Sequence, residues 1–197
     1  MADAMIDVQE QEIVATAIDS SSKSHDRTMT ESKTFRIITA GDLTWEKGYE
    51  QALMTIRILI DRKIPVHFEI FGEGNEYQNI LFAIHDMDLS QHVQLSKRVS
   101  ADELRNKYKE ADVFFLSSVN EESPLEAFEA MGCGVPVVAT ESDKVKETIT
   151  DGLEGLIVPI MDPQSAADAL EMLWRKPDLR TRMGVSAKEK MLKQGEE

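Results

Sequence analysis

Cysteine is nearly missing from this chain: Cys133 is the only one in 197 residues, so no disulfide can close within it. Histidine is also scarce, and the four present, at 25, 67, 85 and 92, show neither metal-ligand spacing nor a cysteine partner. No metal site is therefore expected. Basic residues are outnumbered, with 22 Lys and Arg against 36 Asp and Glu and a formal charge of −14. That deficit excludes broad binding to nucleic-acid phosphates or anionic lipid, so any phosphate ligand must be held locally. No apolar run approaches the roughly 18 residues of a membrane span, and the N-terminus has no basic start before an apolar core. The chain reads as soluble and cytoplasmic, without a transmembrane segment. Hydrophobic residues make up 42% of it, enough for a sizeable core.

Residues 1–34 differ from the rest. They include the polar run Asp19-Ser20-Ser21-Ser22-Lys23-Ser24 and carry no sustained strand pattern, which predicts a disordered tail or linker. From residue 35 onward, apolar runs of four to six residues alternate with helical periodicity. Strands are expected at residues 36–40, 67–71, 93–95, 113–116, 135–139 and 155–158. Helices are expected at 48–61, 77–87, 101–109, 124–131, 144–150 and 163–174. This alternation predicts an α/β fold, a Rossmann-like doubly wound parallel sheet with ligands at the strand C-termini. Residues 35–177 form the expected domain. Residues 178–197 read as a charged helical extension with little apolar face, which either frays or docks on something outside this chain.

The most informative loop follows the apolar run 113–116 and reads SSVNEESPLEAFEAMGCG over residues 117–134. Ser123, Pro124 and Glu126 have the spacing of an N-cap, a first-turn proline and a capping-box partner, which predicts a helix starting at Pro124. Glu121 lies before that helix and Glu129 inside it, so both can face a ligand at its N-terminus, where free amides suit a phosphate.

These residues resemble a known family. Glu121, Glu129, Ala130-Met131 and Gly134-Val135-Pro136-Val137-Val138-Ala139-Thr140 are similar to the E-x7-E and PVV signature of retaining GT-B glycosyltransferases, particularly family 4. The loop Gly41 to Gly48, the Phe71-Gly72-Glu73-Gly74 turn, the stretch from Ala111 to Ser118 and the segment from Asp151 to Pro159 resemble further family segments in the same order. The resemblance covers residues 35–185 and implies one half of a GT-B fold, the half that binds a nucleoside-diphosphate sugar. In that reading the nucleotide sugar is a substrate, no cofactor or metal is needed, and Glu121 takes the catalytic position against the transferred sugar. The implied donor-binding set is Lys47 at phosphate, Gly72 and Gly74 where backbone approaches the donor, Leu125, and Glu129 at the ribose hydroxyls. The family's acceptor-binding domain has no room in 34 residues, so transfer would need a partner chain or a longer protein.

Three differences from the pattern fall on the implied site. Asp42 stands where the family carries an arginine, Glu122 replaces a glycine, and Ser142-Asp143-Lys144 replaces a Gly-Gly turn. With Glu126 the site gains about four negative charges, and unpaired charges 4 Å apart interact by roughly 1–4 kcal/mol. Reduced or absent donor affinity is the expectation. Each residue also has a plainer reading: Glu121 and Glu129 as solvated helix-start carboxylates, Lys47 as a surface lysine, Gly72 and Gly74 as a simple turn, Cys133 as a small core residue, and Trp45 as packing over its loop rather than stacking on a ligand. The alternative functions are a degenerate, non-catalytic binding module and an epimerase-like half of shared architecture.

Overall fold

The central apolar runs become strands because they are buried on both faces, as in VFFL of residues 113–116, where all four side chains are buried, while the edge runs 93–96 and 155–158 are only partly buried. In the computed structural model, which describes residues 34–121 and 123–194, six strands alternate with helices. The order is β1 (Phe35–Ala40), α1 (Tyr49–Asp61), β2 (Val66–Phe71), α2 (Tyr77–Asp86), β3 (Val93–Ser96), α3 (Ala101–Glu110), β4 (Val113–Leu116), α4 (Leu125–Gly132), β5 (Val137–Thr140), α5 (Asp143–Thr148), β6 (Gly155–Val158), α6 (Pro163–Arg175) and α7 (Pro177–Gln194). A 3-10 turn, Trp45–Lys47, precedes α1. The tail expected at residues 1–34 lies, but for Thr34, outside the described residues, as does Glu122.

The strands are parallel and ordered β3-β2-β1-β4-β5-β6. Ile37 of β1 is in register with Phe68 on one side and Val113 on the other. The chain winds from β1 out to β3, crosses back to β4, and winds the opposite way to β6. The reversal leaves a crevice above the C-termini of β1 and β4, the place where such sheets bind ligands. Alternate side chains divide the interior in two. Phe35, Ile37, Val113 and Phe115 enter a core with α1, α2 and α6, while Ile38, Phe114 and Leu116 enter another with α3, α4 and α5.

Two expectations need correcting. The fifth strand starts at Val137, not at 135, because the Val135 amide still donates to the Ala130 carbonyl (3.1 Å) at the end of α4 and Pro136 has no amide to give. Through Gln194 the last helix docks on this chain's own cores. α7 crosses from one core to the other, burying Met183 in the first and Ala187 in the second, and packs against α4 and α6. At its start Arg180 pairs with Asp112 (3.0 Å), both side chains largely buried, and lies over the Phe35 ring. Near its end Lys190 reaches buried Glu154 (3.4 Å). Its apolar face is narrow, and at Gly184 it lies close to the turn after α4: a Cβ there would run into the Gly134 carbonyl oxygen.

Candidate functional site

The crevice is built from two loops that hydrogen-bond to each other. In the loop after β4, the amides of Val119 and Asn120 donate to the Glu46 carbonyl, at 2.7 and 3.4 Å. Ser117 Oγ donates to the Lys47 carbonyl (2.9 Å), and Thr140 Oγ1 at the end of β5 donates to the Ser118 carbonyl (2.5 Å). These bonds hold the start of α1 beside the approach to α4.

Lys47 and Glu121 meet there. Lys47 Nζ donates to Glu121 Oε2 at 3.0 Å and to Oε1 at 3.3 Å. The carboxylate also accepts from Ser118 Oγ (2.7 Å) and from the Ser123 amide (3.1 Å). Glu121 is 6% exposed, so its charge is held by three partners in place of water. The lysine is partly buried, with its ammonium fixed at the mouth of the crevice.

The loop after β2 completes one wall. Leu43 donates to the Glu73 carbonyl (2.8 Å) and Glu76 to the Leu43 carbonyl (3.0 Å). The close approach explains both glycines, since a Cβ on Gly72 would strike the Gly41 carbonyl and one on Gly74 the Leu43 backbone. Gly72 and Gly74 thus let one loop lie on another.

The capping box expected at Ser123 does not form. α4 starts at Leu125 after Pro124, with no side-chain cap. The Ser123 amide is already taken by Glu121, and Glu126 turns its carboxylate toward Gly41. The same S-x-x-E spacing does form a reciprocal box at Ser100 and Glu103, where nothing competes. Glu126 is half-buried, and burial pushes its carboxyl above the ordinary value. Its own amide and Lys47 pull the other way, while Glu121 and Asp42 add to the rise. Nor are the amides at this helix start all free, because Leu125 donates to the Ser123 carbonyl (2.9 Å). Leu125 and Glu129 are exposed, and Glu129 makes no side-chain hydrogen bond or ion pair among the described residues.

Asp42 is paired, contrary to the expectation of an uncompensated charge. Arg98, from the loop after β3, donates to its carboxylate, both side chains being exposed. Tyr49 donates to the Asp42 carbonyl (3.3 Å), and burial, helped by the carboxylates of Glu126, Asp42 and Glu121, drives its phenol far above the ordinary range and keeps it protonated. Ser142 caps α5 by accepting from the Val145 amide (3.1 Å), so the residues that replace the Gly-Gly turn start a helix. Trp45 is 67% exposed. Cys133 packs partly buried against the second core. Arg98 and Ser118 were missed from the sequence: a lone arginine after a short strand carries no pattern, and Ser118 is one of two adjacent serines.

Among the described residues, no cluster of three His, Cys, Asp or Glu side chains has the geometry to hold a metal ion. No helix among them is long and apolar enough to cross a membrane.

Comparison with known proteins agrees with this architecture. The profile of the glycosyl transferases group 1 family matches residues 20–190. A D-inositol 3-phosphate glycosyltransferase of Pseudarthrobacter chlorophenolicus is 33% identical over 158 residues, which are 78% of this chain and 38% of that protein. The chain thus spans about two fifths of the length of such relatives. Among solved structures, S. aureus TarM bound to UDP superposes with a TM-score of 0.76 at 21% identity, over 81% of this chain and 32% of TarM. The C-terminal domain of a glycosyl transferase group 1 protein from Francisella tularensis superposes at 0.71 and 20% identity, over 82% of this chain and 86% of that domain. With this sheet order and these matches, the chain belongs to the glycosyl transferases group 1 family, and its described part is the Rossmann-like half of a GT-B fold.

Proposed function

We propose that this chain is the donor-binding half of a retaining glycosyltransferase, moving a hexose from a nucleoside-diphosphate sugar to a glycan or lipid-linked acceptor. The observation that carries this reading is the Lys47–Glu121 pair fixed where the loops of β1 and β4 meet. In such a transfer the bond from sugar C1 to the diphosphate oxygen breaks, a bond from C1 to the acceptor oxygen forms on the same face, and the acceptor hydroxyl's proton passes to the departing diphosphate. Negative charge grows on the departing diphosphate, and a positioned ammonium such as Lys47 stabilises it. Glu121 faces the transferred sugar in this reading, while exposed Glu129 accepts hydrogen bonds from two ribose hydroxyls. The backbone near Gly72, Gly74 and Leu125 lines the rest of the donor path. The acceptor site belongs to a partner chain or to another part of a longer polypeptide, and the nucleotide-sugar substrate favours a cytoplasmic setting.

One observation favours a second reading, a binding module without catalysis. Glu126 places a half-buried carboxylate beside Lys47, at the helix start a diphosphate would use.

A thermal-shift titration with UDP, GDP and ADP separates the two. Donor binding predicts saturable stabilisation by one diphosphate, about 2.7 kcal/mol at a hundredfold excess over Kd. Glu129→Ala, an exposed change with little structural cost, should weaken that nucleotide about tenfold, as losing a charged hydrogen bond does. No shift with any of the three would leave the non-catalytic reading standing.

A further inference from the structure

A groove of about 770 Å³ runs between α1 and α2, and Lys47, Glu121, Glu126 and Glu129 are not among its lining residues. It arises from a second stripe on each helix. On α1 the core takes Ala52, Leu53, Ile56 and Leu59, which leaves Glu50 and Met54, four residues apart, on the flank. On α2 the core takes Ile80 and Ile84, and Asn79, Phe82, Ala83 and Asp86 form the flanking stripe. Phe82 is 70% exposed, and Trp45 and Met161, also lining the groove, are 67% and 65% exposed. Single exposed apolar residues are ordinary, but three of this size around one concavity are the mark of a surface that another molecule covers.

The charge on the walls selects the occupant. Glu50, Glu76 and Asp86 line the groove, and no lysine, arginine or histidine lines it among the described residues. Acidic walls disfavour nucleic acid and anionic lipid. A second copy would bring the same carboxylates face to face, adding to the repulsion of two chains of −14. Two parallel helical ridges accept a third helix, and the 13 residues of α1 give a seat of about 20 Å, three to four turns. Met54 and Met87 supply side chains that adapt to the shape of a partner. We propose that the α1–α2 groove docks a cationic amphipathic helix of a partner chain, its apolar stripe over Phe82 and Met54 and its lysines or arginines against Glu50, Glu76 and Asp86. This is independent of whether the crevice binds a nucleotide.

The probe is a labelled synthetic helix of about 18 residues, five turns, with a leucine stripe and lysines elsewhere, followed by fluorescence anisotropy at low salt. The expected result is saturable one-to-one binding, weakened about tenfold or more both by Phe82→Ser and by Glu50→Gln with Asp86→Gln. The same leucine stripe on a glutamate background should bind at least about tenfold more weakly. Glu147→Gln and Glu189→Gln, which remove carboxylates elsewhere, should leave binding within about twofold. Binding that falls equally with those distant changes, or ignores Phe82→Ser, would mean attraction to net charge alone and overturn the proposal. So would the absence of saturable binding, or a dimer in sedimentation that Phe82→Ser dissolves.

Discussion

At Glu126 a carboxylate in the first turn of α4 is half-buried beside Gly41, within the fields of Glu121 and Asp42, and its carboxyl stays above the ordinary 4.5. Between its unfolded and folded values the native state binds more protons than the unfolded chain. Its contribution to stability is therefore full below about pH 4.5 and is lost as pH rises through the folded value. Glu126→Gln removes that loss. Urea titrations should find the variant more stable than the parent at pH 7, with the difference shrinking as pH falls and vanishing near pH 4. A constant difference across that range would mean that the charge is compensated after all. At this scale two of the residues singled out from the sequence, Lys47 and Glu121, meet in the structure, while Glu129, inside α4, stands exposed and apart from them. The sequence could not carry the pairing of Asp42 with Arg98, 56 residues apart, which exists only because β3 and β1 flank β2. It also misassigned Glu126, since S-x-x-E spacing says nothing of whether the serine amide is already taken by Glu121.

Among the elements, the strands and the helices between them were legible because short apolar runs alternate with longer stretches of helical periodicity, and length tells the two apart. α7 was not, since its docking face is a single narrow line, Leu179, Met183, Ala187 and Met191, flanked by the partly buried cations Arg180 and Lys190 in an otherwise charged helix. Gly184 shows what pattern reading overlooks. An alanine in place of a helical glycine ordinarily stabilises by about 1 kcal/mol. Here the added methyl meets the Gly134 carbonyl, close to Pro136, so the helix must lift from the turn that ends α4. Gly184→Ala should destabilise by about 1–3 kcal/mol, the usual cost of overpacking. Gly132→Ala, at the end of α4 with open space around it, should be neutral or stabilising. Chemical denaturation of the two variants side by side distinguishes packing from propensity. A stabilised Gly184→Ala would show that α7 is not seated on α4 as described.

For the whole molecule, charge sets two opposing responses to salt. The formal charge of −14 makes the folded chain repel itself, and salt screens that repulsion. Salt also weakens ion pairs, yet most of those on the surface, such as Arg57–Asp61 and Lys144–Glu147, join exposed groups that solvent already screens and that contribute little each. The better-buried pairs, Lys47–Glu121 and Arg180–Asp112, are screened least because solvent ions cannot approach them closely. Self-repulsion therefore wins. Raising sodium chloride from about 0.01 to about 0.5 M, which shortens the Debye length from about 30 Å to a few Å, should raise the urea midpoint and add on the order of 1 kcal/mol. Urea is the right denaturant because it is uncharged and leaves ionic strength free to vary. A midpoint that fell with salt would reverse the ranking. The surface ion pairs would then outweigh the net charge, and the acidic walls of the crevice and of the α1–α2 groove would be better neutralised than their side chains suggest.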